Sequence, residues 1–356
     1  MFRHPPAQIL TLVRDRAFAE DKLRNIGGRP VLLSKPKTNS APRSRSESIK
    51  IALAFVAIYL VWGSTYLAIR YAVETIPPLV TAGIRHTMAG GILLVWAYAR
   101  GYRPRREHWG AGMILGALFF LIGHGTLHWA EQRVASGLAA LLIATEPMFI
   151  LVLAWATSQQ RISRISAAGL AVGVVGVAIL TGAELSAKDA SLIGLVAVLV
   201  GSLSWAAGVV ISPKLKLPAD ALARTAVPLV CGAVMLLLTA GITGEFHGLH
   251  RDAISLKSIF GLGYLIVFGS IVAFTAYTWL LQRCPPTLVA THTYANPVVA
   301  VLLGWLLASE PLTSRVALAS VAILGAIVLI RRGERDTGKH PVKSVPEEME
   351  STEQCA

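Results

Sequence analysis

Residues 134–158, VASGLAALLIATEPMFILVLAWATS, form one apolar run broken by a single carboxylate, Glu146, and a single proline, Pro147. About 20 apolar residues cross a hydrocarbon core of roughly 30 Å, so the run is long enough to span a bilayer with Glu146 near mid-depth. A charge there costs on the order of 2.5–3.5 kcal/mol on insertion scales, which favours an acid that faces a cavity or a partner rather than lipid. Pro147 removes a backbone donor and crowds the preceding turn, so a kink is expected beside the acid. An acid next to a helix break at depth is where a transporter would bind something.

The run recurs. Shifting the chain by 150 residues places Trp129 on Trp279, Gln132 on Gln282, Arg133 on Arg283, Pro147 on Pro297 and Trp155 on Trp305, without a gap. Glu146 then meets Asn296. Trp and Pro are scarce in this chain, so the coincidence points to an internal duplication rather than to shared hydrophobicity.

Only 15% of the 356 residues are charged and 54% are hydrophobic, against about 25% charged in soluble domains, so the composition is that of a membrane protein. Cys231, Cys284 and Cys355 are far apart and give neither a disulfide framework nor a CxxC metal pair; Cys231 reads as a small core residue. The net charge of +13 would fit a nucleic-acid binder. Placement argues against that. Residues 1–50 hold 11 Lys/Arg against 4 Asp/Glu without interleaved aromatics beyond Phe2 and Phe18, and other basic residues flank apolar runs. Residues 36–48 are polar and rich in Pro and Ser, as in disordered segments. The tail has no signal-peptide h-region with a small-residue cleavage site.

From residue 51 the sequence offers ten spans: 51–72, 78–99, 108–129, 134–158, 164–182, 191–212, 222–243, 257–281, 287–308 and 313–330. With a cytoplasmic N-terminus, ten basic residues fall in inner loops and six on the outer side, which supports two cytoplasmic termini. Each span lies five spans from its repeat, and five is odd. The expected fold is therefore all-α and integral to the membrane, with ten transmembrane helices in two inverted five-helix repeats at 51–182 and 191–332. Residues 1–50 and 333–356 are read as cytoplasmic tails. Gly112/Gly116 and Gly169/Gly173 are GxxxG pairs suited to close helix packing.

Few strongly polar side chains fall inside the spans: Arg85, His86, His124, His128, Glu146, His292 and Asn296. Their cost makes each a functional candidate. Glu146 either lines a pathway or is a structural partner for Arg85 or a histidine. Arg85 can pair with Glu146, contact an anion, or snorkel toward an interface. His124 and His128 share one helix face and Glu131 continues it, which is metal-ligand spacing on paper. HExxH is absent, and zinc sites need three protein ligands with an ordered second shell. Paired histidines near a helix end are more often hydrogen-bonded interface residues, and a proton relay between His124 and Glu146 ranks ahead of metal binding. Tyr59, Trp62, Tyr66, Trp205, Tyr277 and Tyr294 could wall a site for a planar or cationic solute, Tyr294 being favoured because it shares a helix with His292 and Asn296. Trp109, Trp129 and Trp279 at span ends read as interfacial-belt residues. No GxxxxGK[ST], no GxGxxG after a strand and no GxSxG occurs, so transport would draw on a solute or proton gradient.

The stretches WGSTYLAIRYAVETIPP (62–78), WAEQRVASGLAALLIATEP (129–147), FGSIVAFTAYTWLL (268–281) and YANPVVAVLLGWLLASEPLT (294–313) resemble the drug/metabolite transporter superfamily, specifically its EamA-type ten-helix exporters. The resemblance covers about 51–332. It implies a bacterial inner-membrane secondary carrier with two EamA domains, alternating access around a central cavity, and no cofactor or metal. It places signature elements on Trp62, Gly63, Ser64, Arg85, Pro147, Trp205 and Pro297. Members export varied solutes, including amino acids and amphipathic drugs. The expectation is a carrier in which Glu146 and His124 bind substrate or a proton, Tyr294 and Asn296 contact substrate, and Pro147 and Pro297 let half-helices flex. Expected partners are a small-molecule solute and membrane lipid, with a homodimer allowed and nucleic acid excluded. The rival readings are an intramembrane metalloenzyme using His124, His128 and Glu131, and a non-transporting scaffold or sensor with the basic tail as its effector.

Overall fold

The computed structural model describes residues 45–157, 162–184, 192–281, 283–284, 289 and 292–336. Ser48–Ala356 forms one unit, apart from Met1–Glu47. Most of the basic tail, Tyr294's side chain and residue 282 lie outside the described residues. Every described element is helical.

The rods are α1 (Arg45–Ala72), α2 (Pro78–Ala99), α3 (Arg106–Leu115, Gly116–His124 and Gly125–Ala130 in line), α4 (Ser136–Ile143 and Glu146–Ala156), α5 (Arg164–Glu184), α6 (Leu192–Ile211), α7 (Ala221–Ile242), α8 (Leu256–Tyr264, Leu265–Val272 and Ala273–Leu281), α9 (His292–Ala308) and α10 (Ser314–Asp336). Eight helices among the described residues are long and apolar enough to cross a membrane, rather than the ten expected; Arg164–Ile179 and Ala295–Ala308 are shorter apolar helices. α10 runs four residues past the expected end of the second repeat at 332.

Local chemistry sets the helix ends. Pro78 opens α2, where its missing N–H costs nothing, and the Glu245 carboxylate accepts from the next two backbone amides, Leu79 N at 2.8 Å and Val80 N at 3.2 Å. Half-burial pushes the Glu245 carboxyl above the usual range, and those two amides pull it back. Asp220 and Ser255 cap α7 and α8 by accepting from Ala223 N and Ser258 N. The break in α4 falls at Ala144–Thr145, one residue before the Glu146–Pro147 pair, and Thr145 Oγ1 satisfies the Leu142 carbonyl at 2.6 Å.

The helices pack closely where side chains are small. α2 runs along α7 and α5 along α10, so each of these helices meets its counterpart from the other half. The GxxxG pairs serve this purpose: a Cβ on Gly169 would lie 2.9 Å from the Ala326 carbonyl, and one on Gly116 would lie 2.7 Å from the Gly232 nitrogen. The outward surface keeps large apolar side chains such as Val95, Ile193 and Val321 about 70% exposed, and Trp155 and Trp305 half exposed, which suits lipid better than water.

Two local features repeat at the spacing seen in the sequence. α3 and α8 each contain a wide π-helical stretch, Gly116–His124 and Leu265–Val272. Arg133 lies 3.9 Å over the Trp129 ring and Arg283 lies 4.2 Å over the Trp279 ring. Each of these tryptophans, expected at an interface, thus carries a cation on its face.

Candidate functional site

Trp62 is the hub. Its Nε1 donates to the Gly269 carbonyl at 3.1 Å across the contact between α1 and α8. π-helical stretches leave carbonyls out of the regular ladder and recur at functional sites. The Trp62 ring sits 5.2 Å from Tyr277 and 4.8 Å from His292, and those two rings are 5.7 Å apart. His292 Nδ1 donates to the Val289 carbonyl at 2.9 Å, which holds the ring in place. Residues from α1, α8 and α9 that the sequence could only nominate separately therefore form one aromatic panel.

Asn296 joins the panel through the backbone: a Cβ on Gly63, the residue after Trp62, would lie 3.1 Å from the Asn296 carbonyl. Its side-chain Oδ1 is buried with no hydrogen-bond partner among the described residues. Pro297, buried inside α9, follows directly.

Arg85 on α2 is 6% exposed. Its Nε donates to Ser270 Oγ at 3.2 Å, and Ser270 Oγ donates in turn to the Leu265 carbonyl at 3.0 Å. No carboxylate lies within salt-bridge distance of it among the described residues. Of the alternatives the sequence left open, the pairing of Arg85 with Glu146 does not form among the described residues, because α2 turns the guanidinium toward the wide stretch of α8.

The histidines group elsewhere. His124 Nδ1 and His86 Nε2 are 2.8 Å apart, and His128 Nδ1 donates to the His124 carbonyl at 2.7 Å. Trp205 stacks on His124 at 5.2 Å and lies 4.6 Å from Phe119. The relay expected between His124 and Glu146 is replaced by a His124–His86 pair. The proposed metal ligands do not converge: His124 has one ring nitrogen committed to His86 and His128 has one committed to its own helix. Among the described residues, no group of three His, Cys, Asp or Glu is placed to hold a metal ion. His86 Nδ1, His128 Nε2 and both Glu131 oxygens are buried without partners among the described residues.

Glu146 begins the second half of α4, at the break. It is partly buried, within electrostatic reach of Tyr66 and Tyr277. Tyr59 lies 5.7 Å from Phe55 on α1 and packs, with Trp62 and Tyr277, against the cluster of Ile58, Leu280, Cys284 and Val289.

Two groups escaped the sequence reading, Tyr264, the partner of the signature residue Ser64, being the first. Ser64 Oγ donates to the Val61 carbonyl, which leaves the Tyr264 hydroxyl, 2.6 Å away, as donor to Ser64. A double-mutant cycle with Ser64→Ala and Tyr264→Phe is expected to give about 1 kcal/mol of coupling in unfolding measurements; additive effects would mean the bond does not hold α1 to α8. The other group is Glu310, between α9 and α10. It is 8% exposed, pairs with Arg70 Nη1 at 2.7 Å, and accepts from Ser136 N and Oγ, both at 2.8 Å, and from Gly137 N at 3.0 Å. Ser309 before it holds a left-handed φ of 54°, a conformation costing on the order of 1 kcal/mol that surrounding contacts must offset. Glu310 lies in the quoted ASEPLT stretch, but a loop carboxylate raises no flag when the search is for charges inside spans.

A sequence profile of the EamA-like transporter family matches residues 49–182 and again 192–332. The chain belongs to the EamA-like transporter family. Its EamA halves are those inferred from the 150-residue shift, and membership fits the drug/metabolite transporter resemblance. The chain is 37% identical over 286 residues to the inner membrane transporter YedA of Escherichia coli (strain K12), covering 79% of this chain and 90% of YedA. It is 26% identical over 285 residues to the transporter YoaV of Bacillus subtilis (strain 168), covering 79% and 96%. Protein PecM of Dickeya dadantii (strain 3937) is 26% identical over 273 residues, 76% of this chain and 89% of PecM. A solved crystal structure with 20% identity covers 81% of this chain and 98% of its own, with a TM-score of 0.55, which shows a shared fold. Together with the apolar helices, these likenesses make this EamA member a membrane transporter.

Proposed function

We propose that the protein is a secondary carrier of the inner membrane that exports a small amphipathic solute by alternating access, with its site between α1, α2, α8 and α9. The observation that carries this reading is the grouping of Trp62, Tyr277 and His292 beside Arg85, drawn from both EamA halves, with Trp62 and Arg85 bonded to adjacent residues of the wide stretch of α8. Polar groups of this cost are retained where they meet a solute. YedA's name places it in the inner membrane, and the same location is assigned to this chain.

In this reading ten helices cross the bilayer, α5 and α9 included. A helix and its mate five crossings later then run in opposite directions, which makes the repeats inverted. The pairing of α2 with α7 and of α5 with α10 is what a two-fold relation between halves requires. Both termini face the cytoplasm. Pro147, beside the break in α4, and Pro297 are the flexing points, and Glu310 ties α4 to the α9–α10 connection at the outer end.

Glu146 is assigned to the pathway. Glu146→Gln is expected to lower export roughly tenfold, with normal insertion, in cells overproducing the protein and screened for solute resistance. Unchanged export would return Glu146 to a structural role. Deleting residues 1–44 separates a carrier, which keeps its activity, from a tail-dependent sensor.

A further inference from the structure

We infer that the solute carries a carboxylate and that Arg85 receives it. The inference rests on the carrier reading and adds the charge of what is carried.

A buried guanidinium needs an anion or several acceptors, because removing it from water costs several kcal/mol that only a close partner offsets. Arg85 has one protein acceptor, Ser270 Oγ, and that bond uses Nε. The two terminal nitrogens have no protein acceptor among the described residues. They form the half of the guanidinium fork that matches the two oxygens of a carboxylate.

Among the described residues no carboxylate lies within salt-bridge distance of Arg85. Facing Arg85 are Tyr66 from α1, His86 from its own helix, His124 and His128 from α3, and Ser270 from α8. Three of these five are histidines, which carry either no charge or a positive one and so cannot neutralise the guanidinium. Glu146 lies beyond salt-bridge distance of Arg85. A cationic solute seated here would meet an arginine and three imidazoles.

Geometry gives the remainder of the solute. Ser270, which holds Arg85, directly follows Gly269, whose carbonyl holds Trp62. The guanidinium and the aromatic panel are thus one residue apart on α8, so a carboxylate at Arg85 directs its body toward Trp62, Tyr277 and His292. Asn296 Oδ1, buried and without a donor among the described residues, suits an N–H or O–H on that body. The ligand class is an organic monoanion with a flat or apolar body and one hydrogen-bond donor.

The test is ligand-induced stabilisation of the purified full-length protein in detergent, using benzoate, benzyl alcohol, benzylamine and nitrate at matched ionic strength. Benzoate is expected to raise the unfolding midpoint saturably and the other three are not. Arg85→Gln should weaken benzoate at least tenfold, and Arg85→Lys should weaken it less, since the charge remains but the fork is lost. The inference is overturned if benzylamine stabilises as well as benzoate, if nitrate does, if Arg85→Gln leaves benzoate binding unchanged, or if none of the four binds. Should Arg85→Gln fail to fold, the acid–amine comparison on the unaltered chain decides alone. Export that persists while benzylamine is preferred would remove the carboxylate and leave the carrier reading standing; loss of any export in the resistance screen would remove the carrier reading instead.

Discussion

Glu310→Ala is expected to destabilise the protein by about 3 kcal/mol. The carboxylate accepts from Ser136 N, Ser136 Oγ and Gly137 N and pairs with Arg70. Leaving buried donors unpaired costs about 1–3 kcal/mol in total for such a group, and breaking a buried ion pair by deleting one partner costs roughly 3–5 kcal/mol. The lower end applies because the Arg70 side chain is 34% exposed and can recover water. Glu310→Gln keeps the volume and one acceptor oxygen, so about half that loss is expected. Arg70→Gln should stay within about 1 kcal/mol, since the helix N-terminus still holds the carboxylate. Unfolding of the purified protein by titration with a denaturing detergent gives the three values. An alanine variant within 0.5 kcal/mol of the parent would mean that this cluster does not hold α4 to the α9–α10 connection.

Gly116→Val is expected to cost at least about 3 kcal/mol and to reduce folded protein in the membrane. α3 and α7 cross here backbone to backbone: a Cβ on Gly116 would stand 2.7 Å from Gly232 N, 3.0 Å from Cys231 Cβ and 3.0 Å from the Pro228 carbonyl. Overpacking against side chains typically costs 1–3 kcal/mol. Here two of the three neighbours are backbone atoms, which cannot change rotamer, so the helices must separate and lose the contacts on either side of the crossing. Gly91→Ala is the control. Nothing lies within 4 Å of its Cβ position, and replacing a helical glycine removes backbone freedom from the unfolded chain, so neutral to about 1 kcal/mol of stabilisation is expected. Equal stability for the two variants would contradict the crossing.

Much of the site was legible residue by residue. Arg85, His86, His124, Glu146, His292 and Asn296 stand out because strongly polar side chains are rare and costly in apolar spans. Trp62 and Tyr277 entered as members of an aromatic set too large to discriminate. What could not be read was who meets whom. Arg85 finds Ser270, 185 residues away, rather than Glu146; His124 finds His86 on the neighbouring helix rather than the acid. Glu310 remained hidden because its importance comes from Ser136, 174 residues distant.

From the sequence alone come the membrane-length helices, the duplication and the inventory of costly polar groups. These follow from local composition and length: apolar runs must satisfy their backbone within themselves, and a repeat is visible wherever rare residues recur in register. The tertiary structure alone decided which faces of those helices meet, where α4 breaks, and that α3 and α8 widen into π turns. A helix apolar nearly all the way round has no amphipathic stripe to announce its rotation. Its facing is set instead by where glycines permit backbones to touch and by which polar partner lies across that contact.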